Sequence, residues 1–334
     1  MLNWKGISLI LLGVALAFVP SLPFGTKNNL DLLIALFTVA SLASSWNILA
    51  GFVGRINLGH VAFFGLGALT TRQLWLEYEW GLIPAFILGG LVAAAAATIV
   101  GVPALRLKGI YFSVGTLAMA EALRLTVSTN LPRVSRLPGP MLRGYDITPR
   151  YYLSLAVLAL IVAIVFWLRR SKLGLGMMAI REDEEAARSI GINVLSHSLL
   201  AFILSAFLAG LVGGTFAFFH VSYYPSLTFG PVWTFDALLV TFVGGIGTLG
   251  GPLIGAVFFV LARDILASNL VNFHLIIFGI IFIVVVLALP GGFVDVLARL
   301  AHRIRRRVTP ARSVSEAIAL ERKSHEQSEP TIPR

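Results

Sequence analysis

The chain repeatedly runs for about 20 residues without a charged side chain, the length a helix needs to cross a bilayer core of roughly 30 Å. Leu82–Val102 and Leu199–Phe219 are two such runs. Lipid offers the backbone no hydrogen-bond partners, so only helices and closed barrels span it. The apolar runs are continuous rather than alternating, which excludes a barrel. Only 13% of residues are charged, against about 25% in an ordinary soluble domain. The expected fold is therefore an all-α polytopic membrane protein.

About ten transmembrane or re-entrant helices are expected, over Gly6–Leu22, Leu30–Ala50, Asn57–Thr71, Leu82–Val102, Ile110–Val127, Tyr151–Leu168, Leu199–Phe219, Phe235–Gly245, Leu253–Leu266 and Leu275–Leu289. Asn57–Thr71 is short and glycine-rich, and either crosses obliquely or enters and returns. The first run continues past Ala15-Leu16-Ala17, so it reads as an uncleaved helix and not as a signal peptide. An even number of crossings puts both termini in the cytoplasm. The net charge of +10 is then a matter of topology, because Lys and Arg collect on the cytoplasmic side; it implies no nucleic-acid partner. Lys5, Arg55, Arg106, Lys108 and the Arg169–Arg188 group fall inside. The loop carrying Arg133, Arg136, Arg143 and Arg150 falls outside, against that bias. Arg303, Arg305, Arg306 and Arg307 read as a stop signal at an anionic leaflet. Residues 1–302 thus form the membrane domain, and 303–334 a basic, disordered cytoplasmic tail.

The substantial hydrophilic stretch between spans is 171–196. Ala179 to Ile190 suits one helix, with Glu184 and Arg188 paired at i,i+4 and Ile180, Ala187 and Ile190 near one face. Gly191 suits its C-terminus. Such a helix either docks into a groove of a soluble partner or is a solvated connector. The glycine-rich run 244–256 reads as a tight, packed turn. A phosphate loop would need Gly-x-x-x-x-Gly-Lys-Ser/Thr, and the chain has no Gly-Lys dipeptide. Within the spans, Glu121 and Arg124 lie at pairing distance along a helix. His60 reads as a satisfied structural histidine on a helix capped by Asn57. Asp236 and Thr241 are read the same way, and Arg263 with Asp264 as an adjacent pair. The chain has no cysteine, no clustered histidines and no hydrolase motif. No catalytic constellation emerges, so an enzyme is not expected.

Three ordered motifs carry a resemblance. Ala179-Ile-Arg-Glu-Asp183, Ala186-Ala187 and Gly191-Ile-Asn193 resemble the cytoplasmic coupling loop of branched-chain amino-acid ABC permeases. Gly59-His-Val-Ala-Phe-Phe-Gly-Leu-Gly-Ala68 and Gly244-Gly-Ile-Gly-Thr-Leu-Gly-Gly-Pro-Leu-Ile-Gly-Ala256 are similar to two further family motifs. Leu105–Phe112 and Thr116–Glu121 also fit. The resemblance covers roughly residues 30–293 and points to the M-type subunit of the leucine/isoleucine/valine import system.

The resemblance implies an ABC-importer permease in the bacterial inner membrane. Its partners would be a second homologous permease chain, two cytoplasmic ATPase chains and a solute-binding protein. ATP and Mg would bind those ATPases, and no cofactor this chain. The coupling loop would comprise Ala179, Ile180, Arg181, Glu182, Asp183, Glu184, Ala186, Ala187 and Gly191. Asn57, Gly59, His60, Thr116, Glu121, Gly244, Gly245, Gly247 and Thr248 would serve the translocation pathway or its packing. Two departures bear on substrate. Arg55 and Asn57 stand where the family commonly has Gln and Ser, and Asn130–Pro140 lacks the usual Thr-Gly-Gly. Related permeases serve urea, amides or aromatic acids. An ion-coupled carrier would need intramembrane acids and internal repeats, for which Glu121 and Asp236 are too few.

Overall fold

A computed structural model describes residues 4–23, 25–131, 135–269, 274–288, 291–296 and 299. The stop signal and the tail from 303 lie outside the described residues. In chain order the helices are α1 (Trp4–Ala17), α2 (Lys27–Val53), α3 (His60–Leu76), α4 (Leu82–Ala104), α5 (Ile110–Asn130), α6 (Gly139–Arg143), α7 (Thr148–Leu168), α8 (Lys172–Glu182), α9 (Glu184–Ser189), α10 (Val194–Phe219), α11 (Pro225–Thr228), α12 (Val232–Gly244), α13 (Gly251–Asn269) and α14 (His274–Ala288). Two short strands, β1 (Ser135–Arg136) and β2 (Ser222–Tyr223), pair antiparallel with Ser135 opposite Tyr223.

Among the described residues, each of the ten expected apolar segments contains a helix, although α3 begins only at His60. Among the described residues, seven helices are long and apolar enough to cross a membrane: α2, α4, α5, α7, α10, α11–α12 and α13. The other three, α1, α3 and α14, have 14, 17 and 15 residues, short of the ~20 that a straight crossing needs. Pro20 helps end the first helical run in a single 3-10 turn over Val19–Ser21, since proline cannot continue an α-helix ladder.

α2 is the central post. Every residue from Phe37 to Val53 is buried, as befits a helix apolar on all sides; α7, α10, α12 and α13 surround it. α10 is the second post and packs on α3 and α4. Helices in lipid gain little from hydrophobic exclusion, so close packing through small residues holds them together. A Cβ on Gly67 would strike the Gly210 backbone of α10, so these two backbones touch. Aromatic rings fill the wider gaps: Phe63 meets Phe202 edge-on at 5.3 Å, and Phe64 lies 5.1 Å from Trp233. The outer faces of α4 and α5 carry exposed Ile83, Ile87, Leu91, Ile99, Val114 and Leu125, a surface suited to lipid.

At the end away from α8 and α9, residues 135–147 of the expected external loop form a structured cap. Arg72, in the last turns of α3, is 1% exposed and commits all five donors. Its Nε reaches Ser135 Oγ, and its Nη atoms reach the carbonyls of Ser135, Ala217, His220 and Val221 at 2.9–3.0 Å. Arg150 donates to the Phe218 and Asp146 carbonyls and stacks 3.9 Å from the Tyr145 ring. These buried arginines tie connecting segments together through backbone oxygens.

Candidate coupling site

The 171–196 stretch is two helices, where one was expected over Ala179–Ile190. The break falls at Asp183, whose extended backbone (φ −156°, ψ 114°) lets its carboxylate accept from the N–H groups of Glu185 and Ala186. An aspartate is among the best N-caps, so it starts α9 rather than continuing α8. Ile180 and Ala187 are buried as expected, but Ile190 is 75% exposed, because the break changes the face it shares. Gly191 takes φ +87°. Its N–H bonds to the Arg188 carbonyl, and that of Ile192 to Ala187, the six-to-one and five-to-two pair of a Schellman end. Ser171 and Asn193 cap α8 and α10 with their side chains. Every turn in this segment is therefore fixed locally, by capping side chains at Ser171, Asp183 and Asn193 and by backbone bonds at Gly191.

Two arginines fasten it to the membrane helices. Arg181 Nη1 donates to the Gly51 carbonyl at 2.6 Å, placing a cation at the negative end of the α2 dipole. Arg55, beyond the left-handed Gly54 (φ +79°), donates to the carbonyls of Leu105 and Leu107 at 3.0 and 3.1 Å. It also lies 3.5 Å from Glu184, which pairs with Arg188 at 2.7 Å as the spacing predicted. Arg55 thus joins three connections: α2–α3, α4–α5 and α8–α9. A cleft of about 650 Å³ opens between them, lined by Arg55, Lys108, Arg181, Asp183, Glu184 and Arg188.

The glycine-rich turn completes the junction. Gly247 sits at φ +75°, and a Cβ there would overlap Arg181 Nη1. Thr248 Oγ1 donates to the Gly245 carbonyl and accepts from the Gly251 N–H. Gly244 lies against Gly251, where a Cβ would strike the Gly251 carbonyl, so α12 and α13 meet closely. Asn47, 1% exposed, holds the turn from α2: its Oδ1 accepts from Gly247 N–H at 2.8 Å and its Nδ2 donates to Thr248 O at 3.0 Å. Sequence reasoning missed Asn47 and Arg72. The available signal was a strong polar residue within an apolar run.

The structure brings Arg181 against Gly247, whose turn also holds Gly245 and Thr248, and gathers Asp183 and Glu184 with Arg181 along the cleft; among the described residues, Gly191 meets no other element. Of the others, Ala186 lies in α9 beside buried Ala187, and Glu182 lies 3.6 Å from Arg181. Asn57, Gly59, His60 and Thr116 form a separate node, deeper along α2. Asn57 Oδ1 accepts from Gly59 N–H at 2.9 Å, just before α3 rather than as its cap. Thr116 Oγ1 accepts from Leu58 N–H. Ser45 gives its hydroxyl proton to Leu42 O at 2.8 Å, so its oxygen accepts from His60 Nε2–H at 3.0 Å. His60 Nδ1 has no protein partner, so the histidine is only half satisfied. Glu121 stands apart, bonded to Arg124 at 2.8 Å. Arg263 pairs with Asp236 at 3.7 Å and not with its neighbour Asp264, because adjacent residues on a helix do not face each other.

A sequence model described as "Branched-chain amino acid transport system / permease component" matches residues 28–286. The chain belongs to this permease family. Within it, the chain is 27% identical over 319 residues to the high-affinity branched-chain amino acid transport system permease protein LivM of Salmonella typhimurium, covering 86% of this chain and 73% of that one. It is 22% identical over 280 residues to LivH of Escherichia coli, covering 76% and 90%. The D-allose transport system permease protein AlsC of Escherichia coli is 28% identical over 200 residues, covering 57% and 59%. No solved structure matches this permease.

Proposed function

We propose that this chain is one transmembrane half of an ATP-driven importer for branched-chain or other small amino acids, lying in the bacterial inner membrane. The likeness to the LivM and LivH permeases supports that class. The observation that carries its mechanism is the α8–α9 pair, pinned to three membrane connections by Arg181 and Arg55. A force on α9 reaches α2 through Gly51, and the turn at 245–248 through Arg181. Two ATPase chains would grip α9 and its cleft from the cytoplasm, and a homologous permease would complete the pathway. Closure of the ATPase pair would rock the α2-centred helices as semi-rigid bodies. A binding protein would meet the opposite, Arg72-capped end and supply most of the specificity. ATP and Mg belong to the ATPase chains on this reading. The ten helical segments, taken as ten passes, leave both termini and the coupling helices on the cytoplasmic side.

Co-purification from native membranes in mild detergent, with every associated chain identified, tests this reading. ATPase chains and a second permease are expected, along with ATP-dependent leucine uptake once the complex and its binding protein are reconstituted. A chain reproducibly free of ATPase would return an ion-coupled carrier to the front.

A further inference from the structure

The coupling junction does not use a cavity of about 410 Å³ set among α2, α10, α12 and α13. Its walls are mostly apolar and aromatic, with Phe216 and Trp233 in ring contact at 5.1 Å. Arg263 and Asp264 of α13 and His220, at the C-terminal end of α10, also line it. Arg263 lies twelve residues beyond Gly251, which begins α13 at the coupling end, or about 18 Å along the helix at 1.5 Å per residue. That depth is well inside a hydrocarbon core of roughly 30 Å. Yet Arg263 is 56% exposed by its side chain, and Asp264 is exposed as well. Charges at such depth face water or protein and not lipid, so this face of the chain looks into the assembly.

Among the described residues, the bonds of these groups leave capacity for a ligand. The Arg263–Asp236 approach of 3.7 Å is longer than a hydrogen bond, and a guanidinium offers five donors in a planar fork suited to a carboxylate. His220 Nδ1 is 3.0 Å from the Phe216 carbonyl; a carbonyl only accepts, so Nδ1 carries the proton, and Nε2 of the neutral ring is an acceptor. The cavity therefore offers a carboxylate receptor, two acceptors for an ammonium and an apolar wall, within the size range of small-molecule sites.

We infer that this cavity holds the transported amino acid in passage. Arg263 takes the α-carboxylate, Asp264 and His220 take the α-ammonium, and Phe216 and Trp233 receive the aliphatic side chain. This deepens, and rests on, the importer reading.

The chain has no cysteine, so Ala267→Cys, on the same cavity wall, gives a single reporter in the assembled complex once its partners are also cysteine-free. A water-soluble thiol reagent should label it. Saturating leucine should slow labelling at least fivefold, whereas isoamylamine, which lacks the carboxylate, and 4-methylpentanoate, which lacks the ammonium, should not. Adding Asp264→Asn should leave the unprotected labelling rate intact, reporting an intact cavity, and abolish the leucine effect. Labelling indifferent to leucine, in a complex that still imports it, overturns the inference alone. So does leucine protection that survives Asp264→Asn. A cysteine that resists the aqueous reagent but cross-links to the second permease chain identifies that chain as the occupant and also overturns it. A wild-type complex that imports no amino acid overturns the importer reading and this inference with it.

Discussion

The contact between Gly247 and Arg181 yields a quantitative test of the coupling junction. Ala187 is 2% exposed, so Ala187→Cys in this cysteine-free chain labels only when the α8–α9 pair undocks. When docking is fast relative to labelling, the labelling rate follows the undocked population. Arg181→Ala removes a charge-assisted bond to Gly51, worth about 1.5–3 kcal/mol. The side chain is 37% exposed, so water recovers part of this, leaving about 1–2 kcal/mol, or roughly 5–30-fold faster labelling. Gly247→Ala puts a Cβ at φ +75°, a left-handed strain of about 1–2 kcal/mol. It also displaces the Arg181 guanidinium, forfeiting the same bond, for about 2–4 kcal/mol in all. In the double variant the bond is already gone and only the strain is added. It should therefore label no faster than Gly247→Ala alone, about 5–30-fold slower than the product of the two single effects. Strictly multiplicative rates would refute the claim that Gly247 is a glycine because Arg181 passes over it.

Other expectations follow from the same contacts. Asn47→Ala leaves the half-buried Gly247 N–H and Thr248 carbonyl without their partner, at about 0.5–1.5 kcal/mol for each lost bond; the detergent melting temperature should drop, and uptake with it, with no change in chain abundance at low growth temperature. Arg72→Met leaves the carbonyls of Ala217, His220 and Val221 without their donor, and should remove most folded protein in fluorescence-detected size exclusion, with Arg72→Lys recovering little because an ammonium lacks the planar fork. Glu121→Gln breaks a partly exposed pair with Arg124 and should leave import within about twofold, as weak pairs of this kind allow; loss of import would move Glu121 into the pathway. Glu184→Gln should weaken both the Arg55 and Arg188 contacts and lower leucine carried per ATP hydrolysed more than it lowers hydrolysis itself.

Much of this protein was legible in the chain. Apolar length dictated helices, because lipid leaves the backbone no other way to satisfy its polar groups. Local chemistry predicted the Glu184–Arg188 pair, the left-handed Gly191, the Glu121–Arg124 pair and a tight turn within 244–256, which the structure confines to 245–250, since each depends on neighbours within a few residues. The same local logic, taken one step too far, drew a single helix through Asp183, whose capping role in the structure outweighs helical continuity. Tertiary structure alone decided what joins what. Nothing in the spacing says that Arg181 ends on Gly51, that Asn47 grips a turn 200 residues away, that Arg263 reaches Asp236 and not Asp264, or that Arg72 is solvated by backbone carbonyls. A sequence period fixes which face a residue occupies; the partner on that face is set by how helices distant in the chain are packed.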